Sequence, residues 1–226
     1  MEISELVISE DQYLSEVLPY DERGERTIPT NCILDKTLPG LGATSCEIKA
    51  KRNSIIIEPN VPVITGKCEN DKNLLAVYEK TTDEKIRKYL KNKSIAFKKI
   101  LCTPESYMRV RIKAEGQGID IYNEYFCLFD ECEKITQDID YRELITLPIK
   151  DFFMYREKAF VSATPLEFRN PDFAANGFYK LKIKPDYPYL KNIDLVVTNC
   201  YDKTVIEKLD ALKDSPLICV FFNSTN

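Results

Sequence analysis

Two short stretches of this chain carry residue types that handle phosphate and divalent ions. The first, Pro39-Gly40-Leu41-Gly42-Ala43-Thr44-Ser45, follows an apolar run at 31–36 and precedes a segment of helical character. Glycines at both turn positions permit positive φ, so successive backbone N–H groups can converge on phosphate oxygens. Thr44 adds a hydroxyl of the kind that binds Mg2+ beside such a loop. The second stretch, Asp130-Glu131-Cys132-Glu133, follows the apolar run at 125–129. Adjacent carboxylates at the end of a buried strand are costly unless solvated or metal-bound. One acid suits a metal, and the other suits a water to be activated. Each stretch also has a plain reading: a glycine turn, and acids capping a helix at 132–138.

A phosphate loop of this layout has a lysine directly before its hydroxyl residue, and here that position is Ala43. Phosphoryl transfer is catalysed mainly by placed charge, so the missing cation matters. Lys36 stands seven residues earlier, at the end of the preceding apolar run, with a stem long enough to reach over the loop. Three readings stand: Lys36 supplies the phosphate cation, it is an ordinary edge or ion-pair lysine, or it serves another contact.

Composition narrows the chemistry further. The 226 residues contain no histidine, which excludes Ser-His and Cys-His nucleophiles and the usual zinc sites. Catalysis must rest on carboxylates, lysines, hydroxyls or a bound ion. With 32 basic and 36 acidic residues, net charge is −4, which excludes a uniformly basic nucleic-acid coat but not a local groove. The eight cysteines are scattered through apolar runs and read as small buried hydrophobes in a reducing compartment. No apolar run reaches the length of a membrane span, and the N-terminal MEISELVISED is acidic and polar. The expected address is cytoplasmic, with no membrane association.

Short β-rich runs alternate with helical segments, the pattern of a parallel sheet covered on both faces. Strands are expected at 31–36, 54–58, 74–78, 99–102, 125–129, 159–162 and 179–183. Helices are expected at 43–51, 61–67, 83–92, 105–115, 132–138 and 142–155, the last broken or kinked at Pro148. Two prolines within 184–192 mark a linker, followed by strand 193–199, helix 202–213 and strand 217–222. A single βαβ unit cannot build a core. The expected organisation is therefore a nucleotide-binding domain over 1–185 and, over 186–226, a linker and the opening of a truncated second α/β domain.

In an open parallel sheet, ligands bind beyond the carboxyl ends of the strands. Read there, the chain gives five strings in order: DKTLPGLGATS, EPNVP, CTPES, FDECEK and SATP. Together they resemble the first RecA-like domain of the superfamily-two helicases, the group that includes the DEAD-box and DEAH-box proteins. The resemblance spans roughly residues 28–226, only the front half of a full motor. It implies an α/β, RecA-like P-loop fold with a mostly parallel sheet flanked by helices, followed by the start of a second α/β domain, opened by VFFNST at 220–225.

The same resemblance implies ATP and Mg2+ as cofactors. The nucleotide-binding residues would be Lys36, Gly40, Leu41, Gly42, Ala43, Thr44 and Ser45. Asp130 and Thr44 would hold the metal, and Glu131 would orient and deprotonate the attacking water. Ser162 and Thr164 would couple phosphate state to the nucleic-acid side by bonding toward the acidic motif. Pro59 and Asn60, with Thr103 and Pro104, would touch a nucleic-acid backbone. That contact set is diluted here, since no arginine follows Pro59-Asn60 and Glu105 brings negative charge to a helix start. Arg109, Arg111 and Lys113 stand nearby, as compensation or as a solvated helix face.

Full activity would require the absent second-domain region or a partner chain. Two further readings remain at this stage. One is a degenerate helicase-like module that binds nucleic acid or protein without hydrolysing ATP, and the other is an unrelated α/β phosphohydrolase or kinase-like enzyme.

Overall fold

The computed structural model describes residues 2–69, 71–132, 147–164, 171–189 and 196–213. Eight strands form one sheet: β1 (Ile3–Ile8), β2 (Cys32–Asp35), β3 (Ser54–Ile57), β4 (Leu74–Val77), β5 (Lys99–Cys102), β6 (Phe126–Phe129), β7 (Glu157–Ser162) and β8 (Tyr179–Pro185). Their order is β1-β8-β2-β7-β6-β3-β5-β4, and every pairing is parallel. The protein is thus α/β, built on an all-parallel sheet flanked by helices, as the alternation of apolar runs requires.

Five of these strands, β2, β3, β5, β6 and β7, are buried along nearly their whole length. Successive side chains leave a strand on opposite faces, so the apolar runs feed two cores. Ile55, Ile57, Cys127 and Phe129 enter one core, with Ile86, Tyr107, Val110, Phe152 and Phe173. These belong to α4 (Asp83–Lys91), α5 (Pro104–Glu115), α7 (Leu147–Phe152) and α8 (Pro171–Ala175). Ile56, Phe126 and Leu128 enter the other, with Leu14, Cys46 and Ile64. Those come from α1 (Leu14–Val17), α2 (Ala43–Lys49) and α3 (Val61–Cys68). A further short helix, α6 (Ile121–Glu124), leads into β6. Full burial of each such aliphatic side chain contributes roughly 2 kcal/mol, so continuous Ile and Leu runs suffice to hold both layers.

Several expectations are corrected. The polar N-terminus forms β1, an edge strand whose alternating exposure hides its single buried residue, Ile8, among Glu and Ser. Short α1, α6 and α8 also went unread, because four or five residues carry too little periodicity. The described part of the expected 142–155 helix is α7, which ends at Phe152. Residues 142–146, most of the expected 132–138 helix and Glu133 lie outside the described residues, as do strand 217–222 and VFFNST.

The chain divides into two compact units, Met1–Pro188 and Tyr189–Asn226. In the second, α9 (Tyr201–Ala211) occupies the expected helical segment and buries none of its residues. Of the expected strand 193–199, residues 196–199 are described and are not strand. Among the described residues they have no ladder to join, and an isolated strand leaves its backbone groups without partners.

Candidate functional site

Parallel pairing brings the carboxyl ends of β2, β7, β6 and β3 to one rim, side by side in that order. The turn after β2 leaves the strand through Thr37, in the left-handed region at φ 60°, whose N–H is accepted by Asp35 Oδ1 at 3.2 Å. Gly40 and Gly42 follow with φ of 82° and 84°. Both glycines answer a backbone demand rather than a spatial one, since a Cβ on Gly40 would meet nothing within 4 Å.

Leu41 is buried, and its carbonyl accepts the Leu14 N–H at 3.1 Å, which ties the turn to α1. Ala43 is also buried in the α1–α3 core, so a lysine there would need to carry its charge out of an apolar layer. Ser45 faces solvent, while Thr44 points inward.

Thr44 and Lys36 meet on one carboxylate. Asp130, only 2% exposed, accepts from Thr44 Oγ1 at 2.5 Å through Oδ2. Its Oδ1 accepts from Lys36 Nζ at 3.3 Å and from the Glu131 N–H at 3.0 Å. The Lys36 chain is anchored from behind, because its own N–H donates to the Ser162 carbonyl at 2.7 Å. Lys36 is 8% exposed and so is no surface lysine. The turn and the acidic pair therefore open onto one spot, with a cation, a hydroxyl and a carboxylate in contact.

Glu131 points to the other side. Its φ of 49° is left-handed, and its Oε2 accepts from Asn60 Nδ2 at 2.7 Å at the end of β3. Asn60 is in turn fixed by Glu58, whose Oε1 accepts both the Asn60 N–H and Nδ2 at 3.0 Å. Glu58 is 1% exposed. Burial, reinforced by the neighbouring Asp130 carboxylate, pushes its carboxyl up to about 7. Sequence reading quoted Glu58 as the end of a strand and gave it no role. The available signal was a carboxylate directly after three isoleucines, the same signal that singled out Asp130.

The remaining expected residues are dispersed along the rim. Ser162 and Thr164 bond each other: Ser162 Oγ donates to the Thr164 carbonyl at 2.8 Å and accepts the Thr164 N–H at 2.9 Å. Backbone bonding joins β7 to the acidic loop, where the Cys132 N–H donates to the Val161 carbonyl at 3.2 Å. Pro59 and Asn60 are half-buried, whereas Thr103 and Pro104 are buried at the start of α5 with only Glu105 exposed beside them. Arg109 and Lys113 pair with Asp83, and Arg111 pairs with Asp151. These three cations knit α5 to its neighbours.

Among the described residues no cluster of three or more acidic or cysteine ligands could cage a metal. The Thr44 hydroxyl and the Asp130 carboxylate supply two hard oxygens. That fits Mg2+, which is usually held by one or two protein ligands together with water and substrate phosphate. Among the described residues, no helix is long and apolar enough to cross a membrane. Comparison with protein-family models and with curated proteins gives no match to this chain.

Proposed function

We propose that the rim site binds ATP with Mg2+, and that the chain is the nucleotide-binding part of a helicase-like, nucleic-acid-dependent ATPase. The observation that carries this reading is the meeting of Lys36 and Thr44 on Asp130. Lys36 is buried beside the glycine turn, and there it touches the acid best suited to the metal. Lys36 thereby takes the work that the residue at Ala43 cannot do, neutralising phosphate charge from the end of β2.

In this reading Thr44 and Asp130 hold the ion, which when bound neutralises charge on the phosphates. Gly40 and Gly42 let the turn present backbone N–H groups to the phosphate oxygens. Glu131 is the carboxylate that takes a proton from water, the role left open once histidine is absent. A nucleic-acid partner, and a second-domain region that completes the site, belong to the same proposal and rest on the resemblance of the five strings.

Calorimetry with a nonhydrolysable ATP analogue and Mg2+ tests the site directly. The wild-type chain binds, and Lys36→Ala and Thr44→Ala lower affinity by about tenfold or more, consistent with loss of a charge-assisted contact. Equal binding by Lys36→Ala would return Lys36 to the role of a structural ion pair. The non-catalytic reading would be favoured if the wild-type chain bound no nucleotide yet retained a single-stranded oligonucleotide.

A further inference from the structure

The two acids of the pair diverge. Asp130 reaches across β7 toward the turn that follows β2, and Glu131 reaches the opposite way, to Asn60 at the end of β3. A water-activating carboxylate serves phosphate chemistry only when it faces the phosphate. Glu131 instead adopts a left-handed backbone at φ 49°, a conformation that costs a residue with a side chain roughly 1 kcal/mol. Asn60, which holds it, is itself held by the fully buried Glu58, which accepts from its backbone N–H and from its Nδ2. The run from β3 to Asn60 therefore forms a rigid clamp on the carboxylate.

We propose that Glu58 and Asn60 form a latch that holds Glu131 turned away from the phosphate turn and so restrains the ATPase. Asn60 is a positioning residue, acting on the reaction only through Glu131. Glu58 sets Asn60 by accepting from both its backbone and its side-chain nitrogen, which fixes the direction of the amide. The inference rests on the ATPase reading for its kinetic consequence, but the clamp itself is a property of the ligand-free protein.

Three variants of the full chain test the latch: Asn60→Ala, Asn60→Asp, which keeps the shape but cannot donate, and Glu131→Ala. In ligand-free protein, the melting-temperature losses of Asn60→Ala and Glu131→Ala overlap, so the double variant loses less than the two singles together. Strictly additive losses overturn the clamp. With MgATP, Asn60→Ala and Asn60→Asp both raise kcat by roughly threefold or more while KM changes less than about twofold. An unchanged or lowered kcat in folded Asn60→Ala protein that binds the analogue normally overturns the latch and leaves the ATPase reading standing. Absence of analogue binding by the wild-type chain overturns both.

Discussion

At the scale of single residues, the site is an arrangement of buried charges, and its behaviour should depend on pH. Glu58 ionises near 4.5 in an unfolded chain and near 7 in the fold, because burial and the Asp130 carboxylate disfavour its charge. The folded state therefore holds this proton more tightly than the unfolded state. The stabilisation from that proton is present in full below the unfolded value, declines as pH rises, and is gone above about 7. It amounts to about 3 kcal/mol. Glu58→Gln removes the dependence, so the wild-type denaturation midpoint should fall relative to the variant between pH 5 and pH 8. Parallel midpoints across that range would mean that Glu58 titrates as an ordinary surface acid. Lys36 is a buried cation paired with the buried Asp130. Truncating one member of such a pair costs about 3 kcal/mol, so Lys36→Ala should also lower stability by an amount readable in chemical denaturation.

At the scale of elements, the turn after β2 is held from several directions. Leu41 ties it to α1, and α2 packs Ala43 and Cys46 into the core. The far end of α2 is clamped by a buried network at the amino-terminal ends of β3 and β5. There Lys99 donates to the Glu47 carbonyl at 2.7 Å and to Ser54 Oγ at 2.9 Å, while Arg52 pairs with the Glu47 carboxylate and stacks on Phe126. Burial pushes the Lys99 ammonium down to about 8, with Glu47 opposing the shift. Edge strand β1 contributes Ile8, with the half-buried Leu6 packed against the same core. Ile8 is fully buried and Val7 is 56% exposed, although the two are adjacent. Ile8→Ala should therefore cost about 3 kcal/mol, while Val7→Ala stays within about 0.5 kcal/mol. Urea denaturation of both variants checks the register, and equal losses would refute the pairing of β1 with β8.

At the scale of the whole molecule, every residue assigned to the site lies before Pro188, within one compact unit. A chain ending at Pro188 should melt cooperatively and bind the ATP analogue within about threefold of the full chain, since the site residues all lie in the first unit and α9 buries none of its own residues. Failure of the shortened chain to fold would show that the first unit is not self-sufficient. Much of this organisation was legible in the sequence. Seven strands, the glycine turn and the acidic pair could be read because short apolar runs bounded by polar turns alternate with helical segments, and because Gly40, Gly42, Asp130 and Glu131 follow such runs. Strand β1 and the role of Glu58 were not legible, because exposure and ion pairing depend on which strand becomes a neighbour. The sequence by itself determined a layered α/β protein without histidine chemistry and named the groups that could meet phosphate. Only the tertiary structure decided that Lys36 reaches Asp130 while Glu131 turns to Asn60. The reason is physical: strand order brings residues 94 and 71 positions apart into hydrogen-bond range, and local pattern carries no information on that order.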